Sequence, residues 1–390
     1  MYMIKNAHVF SPEDIGIQDV LVGGGKILKM AENLPVEEAY GITVIDGSGK
    51  CLMPGLIDSH VHILGGGGEG GAKTRTPEIM LSDIVTGGVT TIVGCLGTDG
   101  CTRTMSNLLA KAKGLEEEGI TTYVYTGSYQ VPVRTLTGTI MDDIILLEKV
   151  VGTGEIALSD HRSSQPSKKE FARIVADTRV GGILSGKAGL VNIHMGDGEN
   201  RLKYLRYMLK KTEIPLSNML PTHINRTKAL MEDGIDYAKN LGGYIDLTTS
   251  SDSNLKNPNK IKASTGLKMA LEAGVEKEHV TFSSDGQGSL PVFGPDGKFV
   301  GLGVGKVASL YHEMKDAVLK EGVSLTDALM AVTQNPAMLL KLPRKGRVAE
   351  GMDGDLVLAE KETLVIDTVI AKGVVMVREG KVLVRGTFET

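Results

Sequence analysis

An apolar run leads directly into two histidines in Leu52-Met53-Pro54-Gly55-Leu56-Ile57-Asp58-Ser59-His60-Val61-His62. This stretch predicts a buried strand over 57–62. Side chains alternate across a strand, so His60 and His62 would face the same way and could together hold a metal ion. The same pattern also arises from two ordinary histidines near a loop, and it specifies no metal by itself. The rest of the chain has to distinguish these alternatives.

Composition indicates a globular protein that acts on small molecules. The chain has 390 residues, of which 41% are hydrophobic, enough for one large core. Its 43 basic and 47 acidic residues are interspersed and leave a formal net charge of −4. This charge distribution provides no basic stripe for nucleic acid and no polybasic patch for a membrane. We therefore expect small molecules or other copies of the chain as partners.

Two further features predict a cytoplasmic protein. The N-terminal residues lack the pattern of a secretory leader, and no apolar stretch approaches about 20 residues. Cys51, Cys95 and Cys101 are odd in number and lack a CxxC spacing, which argues against a disulfide framework and a zinc ribbon. We expect all three to be reduced thiols in the core.

Short strand patterns at both ends predict one small β domain shared between the termini. They are found at 19–22, 26–29, 355–358, 374–377 and 381–384. The first two flank a glycine turn, as the strands of a hairpin do. Because neither end is large enough to fold alone, we expect 1–53 and 345–390 to combine into a β-sandwich-like domain.

Residues 54–344 alternate between β-rich runs and helical patterns. Eight strands are predicted, at 57–62, 90–94, 122–126, 155–159, 191–194, 221–224, 244–247 and 280–283. Helical patterns between them include 77–85, 168–178, 202–210 and 227–240. Eight β/α units over roughly 290 residues match a TIM barrel, whereas a doubly wound sheet would need a switch point and usually fewer strands. The sequence therefore predicts an α/β fold, a (β/α)8 TIM barrel with a small β domain.

Metal-binding side chains coincide with the ends of the predicted strands. His60 and His62 end strand one, His194 ends strand five, His223 ends strand six, and Asp285 follows strand eight. The C-terminal ends of barrel strands meet at one face, where the chemistry of this fold takes place. Taken singly, each histidine would more often be a satisfied core residue than a ligand. Five coincident placements favour a metal site.

Glu155 is a candidate bridge between two metal ions. Two neighbouring dications repel unless an anionic group lies between them. Glu155 stands among apolar residues at predicted strand four, and a buried carboxylate is costly unless it is paired or bound to a metal. The alternative is a solvent-facing residue at the start of the strand.

Together, these features resemble the amidohydrolase superfamily, metal-dependent hydrolases with this barrel and a split β domain. The similarity is closer to the isoaspartyl dipeptidases and covers nearly the whole chain. Motifs that carry it lie at 65–69, 74–78, 97–99, 159–163, 222–226 and 283–286. The resemblance implies hydrolysis of β-aspartyl dipeptides to aspartate and an amino acid, and a homo-oligomer.

The resemblance also implies which residues bind the substrate, which carries one free amine and two carboxylates. They are Gly67, Glu69, Thr98, Arg162, Arg226 and Ser289. Glu69 would pair with the α-ammonium group, with the Gly67 carbonyl and Thr98 nearby. The two arginines would hold carboxylates, because a guanidinium can grip a carboxylate with two parallel hydrogen bonds and lysine cannot.

Two residues have implied catalytic roles. Tyr129 would donate its hydroxyl to the developing oxyanion. Asp285 would take the proton of the attacking water and deliver it to the leaving amine.

The sequence departs from the family at strand four. The resemblance implies two zinc ions bridged by a carbamylated lysine, and that position is Glu155 here. A glutamate supplies a carboxylate without carbon dioxide, but it is shorter. We expect two Zn²⁺ ions bridged by Glu155, with a single ion as the alternative.

Two other functions stay open. A cyclic amidase or an N-acyl-amino-acid deacylase would share the ligands but would not need Glu69 together with two arginines. A non-catalytic barrel scaffold is the other alternative, although loss of activity usually shows as missing ligands, and here only the bridge differs.

Overall fold

A computed structural model describes residues 1–36, 41–250, 260–293 and 299–390. Its strands are β1 Tyr2–Phe10, β2 Asp14–Gly23, β3 Lys26–Ala31, β4 Thr43–Asp46, β5 Lys50–Pro54, β6 Leu56–Val61, β7 Val89–Gly94, β8 Thr121–Thr126, β9 Val150–Leu158, β10 Leu190–Met195, β11 Met219–Thr222, β12 Ile245–Thr248, β13 Val280–Ser283, β14 Ser289–Phe293, β15 Phe299–Val304, β16 Leu356–Glu360, β17 Ile366–Ala371, β18 Val374–Arg378 and β19 Lys381–Val382. Its α-helices are α1 Leu81–Val85, α2 Met105–Glu117, α3 Ile140–Leu146, α4 Lys168–Ser185, α5 Lys203–Lys211, α6 Lys228–Leu241, α7 Ala263–Glu272, α8 Ser309–Leu319, α9 Leu325–Met330 and α10 Gln334–Leu339.

The two ends of the chain share one mixed sheet. Its order is β19-β18-β17-β16-β5-β1-β2-β3, and β4 pairs with β1. The join is β5, which runs parallel to β1 and antiparallel to β16. The predicted hairpin is confirmed as the antiparallel pair β2 and β3. The proposed domain boundaries, 1–53 with 345–390 and 54–344, stay predictions.

A buried carboxylate ties β1 to β2 and makes this sheet sensitive to acid. The Asp19 side chain is fully buried and accepts hydrogen bonds from the Lys5 ammonium, from the Asn6 N–H at 2.8 Å and from the Leu34 N–H at 2.8 Å. Burial raises the pKa of Asp19, but these hydrogen bonds outweigh it and lower the pKa below its usual range. The ionised carboxylate therefore stabilises the fold above the unfolded-state pKa, and this contribution is lost as the pH falls through the lower, folded-state pKa.

Asp19→Ala should lower the free energy of unfolding by about 2 to 3 kcal/mol at pH 7, because it leaves a partly buried ammonium and two N–H groups without their acceptor. The difference from the wild type should shrink as the pH falls from about 4, near the unfolded-state pKa, through the lower folded-state pKa, below which the wild-type carboxylate is also protonated. Denaturant unfolding at several pH values measures both effects. Glu13→Ala, at an exposed position between β1 and β2, is the control. A difference that is constant with pH would contradict the role of the charge.

Eight parallel strands form the barrel. Strands β6 to β11 lie in sequence order in one parallel sheet, and β12 pairs in parallel with β13. The barrel closes beside β6, where the Asp285 N–H donates to the His60 carbonyl at 3.1 Å. Between β11 and β12, the Thr222 hydroxyl donates to Asp246 Oδ2 at 2.6 Å. The predicted TIM barrel with an additional sheet from both termini is confirmed.

Two barrel strands differ from their predicted bounds by two residues or more. Strand β9 begins at Val150, before the predicted residue 155, and the prediction missed this start because glycines usually weaken a strand and Gly152 and Gly154 lie within it. A Cβ on Gly152 would stand 2.1 Å from the Leu190 carbonyl oxygen of the neighbouring strand. Strand β11 ends before His223, because that residue adopts a left-handed φ of 65°.

Local signals set the length of α4 in the outer layer. Ser167 and Glu170 form a capping box at its start, each side chain accepting the backbone N–H of the other. The helix continues past the predicted end at 178 and stops at Gly186, which has a φ of 71°. Glycine inside the helix serves packing, since a Cβ on Gly182 would lie 2.5 Å from the Gly189 Cα.

The core lies on both sides of the barrel wall. The largest buried cluster packs the barrel strands against the surrounding helices. A second cluster fills the lower interior of the barrel and includes Ile57, Val93, Tyr125, Leu190 and Leu220, capped by α10 residues. Because these side chains fill the lower interior of the barrel, only the C-terminal ends of the strands remain open for a site. Among the described residues, no helix combines the length and apolar composition that a membrane span requires.

Candidate active site

The first histidine pair faces one point, as predicted. His60 lies in β6 and His62 directly follows it, and their ring centroids are 5.3 Å apart. Both rings are buried. Their Nε2 atoms lie 3.1 Å and 3.6 Å from Glu155 Oε2. The histidine pair is therefore part of a buried cluster and not a loop feature.

The second histidine pair approaches the other oxygen of the same glutamate. His194 Nδ1 lies 2.6 Å, and His223 Nε2 3.4 Å, from Glu155 Oε1. Glu155 lies in the inner face of β9 with no exposed surface, so the alternative of a solvent-facing residue is wrong. One carboxylate oxygen thus faces each histidine pair, which is the position that a bridging ligand requires.

Asp285 completes the group from the strand that closes the barrel beside β6. Its Oδ1 lies 3.0 Å from His62 Nε2 and 3.7 Å from His60 Nε2. The residue follows β13 with a φ of 53°, a left-handed conformation that aspartate tolerates better than most residues. The turn brings its carboxylate beside the His60–His62 pair.

The protonation states of Glu155, Asp285 and His223 suit cation binding. Burial raises the pKa of Glu155 and Asp285, but the neighbouring histidines outweigh burial and hold both values well below the usual range. Burial, with the charge of His194, lowers the pKa of His223 to about 3. Both carboxylates are therefore ionised at neutral pH and His223 is a neutral imidazole, the form that binds metals.

The donor atoms form two overlapping groups, within each of which all the atoms lie within 4.8 Å of one another. In the described part of the chain, one group is His60, His62, Cys95 and Glu155, and the other is Glu155, His194 and His223. Neither ring nitrogen of the buried His60 has a hydrogen-bond partner there, and neither does Glu155 Oε2. Unpaired buried polar atoms are costly, and imidazole nitrogens and carboxylate oxygens are zinc ligands. These residues therefore fit a buried metal centre that shares Glu155.

Two of the histidines are oriented by neighbours behind them. Asp160 Oδ2 lies 2.9 Å from His194 Nε2, and the Thr248 hydroxyl lies 2.6 Å from His223 Nδ1. Such partners fix ring orientation and tautomer in metal sites. The sequence prediction assigned no role to Asp160, although it directly follows Ser159 at the end of strand four.

A cavity of about 360 Å³ opens above this cluster, within the range of small-molecule sites. Most residues predicted for the site line it: His62, Gly67, Glu69, Thr98, Tyr129, Arg162, His194, His223, Arg226, Asp285 and Ser289. His60 and Glu155 lie buried beneath them. The structure thus brings the predicted residues together, and their individual roles stay predictions.

The loop that carries Glu69 is held in place by close backbone packing. Gly67 has a φ of 72°, and a Cβ there would stand 2.5 Å from the Thr74 carbonyl oxygen. The Thr76 hydroxyl accepts the Gly66 N–H at 2.6 Å and lies 2.6 Å from the Gln287 carbonyl oxygen. The Glu69 loop is therefore hydrogen-bonded, through Thr76, to the loop that follows Asp285.

The two arginines differ in what they already bind. Arg162 places Nε and Nη2 on the two oxygens of Asp160, at 3.0 and 2.8 Å, and its Nη1 lies 3.2 Å from Glu69 Oε1. The Nε of Arg226 is buried and has no hydrogen-bond partner among the described residues. Arg226 lines the cavity and, unlike Arg162, forms no ion pair with a carboxylate among the described residues, so it is the better placed of the two to receive a substrate carboxylate.

Tyr129 stays protonated beside the metal ligands. Its hydroxyl lies 2.7 Å from His194 Nδ1, and burial raises its pKa well above the usual value. Arg162 lies over its ring, 5.4 Å from the centroid. The hydroxyl is thus available as a donor at the cavity wall.

The sequence prediction missed several neighbours. Lys260 also lines the cavity, although no motif marked it, and so does Asn225, which lies in the motif at 222–226 but was given no role. The expectation of three core thiols is wrong for Cys101, which is exposed, and Cys95 lies beside the histidines and not in a purely apolar core. Only the tertiary contact between β6 and β7 reveals the surroundings of Cys95.

The amidohydrolase family model matches residues 51–376. The chain belongs to the amidohydrolase family. This amidohydrolase is 48% identical to a beta-aspartyl dipeptidase from the thermophilic, keratin-degrading Fervidobacterium islandicum AW-1, solved in complex with beta-Asp-Leu dipeptide. The two structures match with a TM-score of 0.88 over 98% of each chain, which places the amidohydrolase among the beta-aspartyl dipeptidases.

More distant similarities support the same family. The amidohydrolase is 24% identical to the dihydroorotase of Streptococcus pyogenes serotype M1, over 94% of this chain and 92% of the relative. A D-hydantoinase structure is 18% identical with a TM-score of 0.67, covering 100% of this chain and 98% of the other, and this likeness concerns the fold alone.

Proposed function

We propose that this amidohydrolase hydrolyses the isopeptide bond of β-aspartyl dipeptides and releases aspartate and an amino acid. The observation that carries the proposal is the buried histidine–glutamate cluster at the floor of a cavity that also presents Glu69 and two arginines. Similarity at 48% identity to a beta-aspartyl dipeptidase supports the same activity.

The cavity matches the charges of such a substrate. Glu69 Oε1 accepts a hydrogen bond from the Thr98 hydroxyl at 2.8 Å, which orients the carboxylate for the α-ammonium group. Arg226, which lines the cavity and has no carboxylate partner among the described residues, receives a carboxylate of the substrate. A cyclic amide or an N-acyl amino acid lacks the free amine, so it offers no ammonium group for Glu69 to bind. These features favour the dipeptide over the alternative substrates.

We propose Zn²⁺ as the metal, with two ions sharing Glu155. The two overlapping donor groups support two positions, and nitrogen with carboxylate oxygen is a donor set that zinc accepts. When bound, zinc lowers the pKa of a coordinated water to about 7 and polarises a carbonyl oxygen.

The protein's own groups carry the proton and stabilise developing charge. Asp285 is ionised, so it accepts the proton of the attacking water and delivers it to the leaving amine. Tyr129 stays protonated and donates its hydroxyl to the carbonyl oxygen as negative charge develops. Glu69 and Arg226 hold the two ends of the substrate, so the β-amide lies over the cluster.

Purified protein should hydrolyse β-aspartyl-leucine at least about 100-fold faster, in kcat/KM, than α-aspartyl-leucine. The α-peptide has its amide one methylene closer to the ammonium group, so it cannot occupy Glu69 and the cluster together, and misplaced groups cost about this much in rate. Release of leucine from each dipeptide measures the ratio. Equal rates for both peptides would contradict the isoaspartyl assignment, and absence of both turnover and metal would favour a scaffold.

Arg226→Lys should raise KM for β-aspartyl-leucine by about 10- to 100-fold with a smaller change in kcat. Lysine keeps the charge but loses the paired hydrogen bonds to a carboxylate, worth about 1.5 to 3 kcal/mol. Steady-state kinetics separate the two constants. The control is Arg206→Lys, at an arginine that pairs with Asp233 and Asp236 on the protein surface. An unchanged KM would mean that Arg226 does not bind the substrate.

A homo-oligomer and a cytoplasmic location complete the proposal. Apolar side chains on the outer helices are strongly exposed, among them Leu146 at 68%, Ile183 at 58% and Leu184 at 67%. Clusters of exposed apolar residues are common at subunit interfaces. Sedimentation of the purified protein tests the oligomer, and cell fractionation tests the location.

A further inference from the structure

We infer that Cys95 is an additional ligand of the metal centre and binds as a thiolate on the His60–His62 side. The inference rests on the proposed function, since both place a metal among these residues. It adds a sulfur donor to a set otherwise made of nitrogen and oxygen.

The backbone fixes Cys95 against the histidine strand. Cys95 follows β7, and its N–H donates to the Val61 carbonyl at 3.0 Å, between the two histidines in sequence. The side chain is fully buried. Its Sγ lies 3.7 Å from His62 Nδ1 and 3.6 Å from the Val61 carbonyl oxygen, both long and weak contacts for a thiol.

The histidines around the thiol are arranged as donors to a common point. Donor atoms of His60, His62, Cys95 and Glu155 all lie within 4.8 Å of one another. His60 is fully buried, yet neither of its nitrogens has a hydrogen-bond partner in the described residues. In a tetrahedral zinc site, bonds of about 2.0 to 2.3 Å keep the donor atoms roughly 3.3 to 3.8 Å apart, so four atoms within 4.8 Å of one another need to move only slightly to bind one ion.

A thiolate also fits the charge of the site. Two dications carry four positive charges, and the carboxylates of Glu155 and Asp285 offset only two of them, so a further anionic donor reduces the excess in this buried region. Sulfur ligands favour zinc and cobalt over magnesium and manganese. In the alternative arrangement, Cys95 contacts only His62 Nδ1, on the side of the ring away from the metal. It then orients the ring and forms no bond to the metal.

Absorption spectroscopy of the cobalt-substituted protein distinguishes these two arrangements. A thiolate bound to Co²⁺ produces a charge-transfer band in the near ultraviolet that nitrogen and oxygen ligands do not produce. We expect the band in the wild type and in the controls Cys51→Ser, at a buried thiol of the terminal sheet, and Cys101→Ser, at an exposed one. Cys95→Ser should lose the band. Its affinity for Zn²⁺ should also fall by more than the roughly 10- to 100-fold that loss of an outer partner causes.

Absence of the band from the wild type, or its persistence in Cys95→Ser, overturns the inference. If Cys95→Ser does not fold, the double variant Cys51→Ser/Cys101→Ser retains Cys95 as its one thiol. A band in that variant assigns the sulfur to Cys95, and its absence rejects it. Hydrolysis of β-aspartyl-leucine is measured separately. If the protein hydrolyses the dipeptide but its cobalt form lacks the charge-transfer band, only the thiolate ligand is rejected. If the band is present but the dipeptide is not hydrolysed, only the proposed function is rejected.

Discussion

Asp285→Asn is expected to lower kcat for β-aspartyl-leucine by about 1,000-fold, within the range that proton transfer contributes to catalysis. The metal content should stay at the wild-type level. Asparagine keeps an oxygen in the position that lies 3.0 Å from His62 Nε2, so it preserves a donor to the cluster. It cannot accept and return a proton. Single-turnover kinetics and metal analysis on the same preparation measure the two effects.

The control for this substitution removes an equivalent charge elsewhere. Asp236→Asn changes a carboxylate that pairs with Arg206 on the surface of α6, and it should retain wild-type turnover. If Asp285→Asn kept both its metal and its turnover, another group would have to move the proton. If it lost its metal, the loss of activity would report a ligand and not a proton carrier.

Glu155→Gln is expected to have the second large effect, on metal content and activity together. The carboxylate lies among four imidazoles, with Oε1 2.6 Å from His194 and Oε2 3.1 Å from His60. A neutral amide cannot offset two dications at this position, and breaking a buried charge arrangement costs about 3 to 5 kcal/mol. We expect one metal ion or fewer per subunit and a loss of kcat/KM of about 100- to 5,000-fold, as that energy implies.

Two further variants sharpen the interpretation of Glu155→Gln. Glu313→Gln changes another buried carboxylate, which accepts the Ser264 N–H at 2.8 Å between α7 and α8, and controls for the general cost of an internal charge change. Glu155→Lys, assayed with and without bicarbonate, tests whether the site can hold the longer carbamylated side chain of relatives. Two full equivalents of metal in Glu155→Gln would show that Glu155 is not the bridge.

The barrel and the ligand types were predictable because they depend on local patterns. Apolar runs with β-branched residues predicted all eight barrel strands. Strand periodicity alone predicted that the two imidazoles of His60-Val61-His62 lie on one face. The ends of elements were less predictable. Gly152 lies inside β9 because neighbouring backbone leaves no room for a Cβ, and no local pattern carries that information.

The site shows the same division between local and long-range information. Residue types and spacing predicted which side chains would meet at the C-terminal face, since parallel strands all end there. The partners of those side chains depend on contacts between distant segments. Asp160 occupies the Nε–Nη2 edge of Arg162, while the buried Nε of Arg226 has no partner in the described residues. This difference between two similar arginines is not visible in the sequence.

The sequence alone therefore predicted a barrel with metal-binding side chains at the ends of its strands, because strand periodicity and ligand identity are properties of short segments, and the family resemblance implied that it is a hydrolase. The tertiary structure established that Glu155 is buried with one oxygen toward each histidine pair, and that Cys95 stands within reach of the same centre. Both facts arise where β6, β7, β9 and β10 converge, at residues separated by tens of positions in the chain. A distance across a barrel interior is set by the packing of all its strands, and no single segment encodes it.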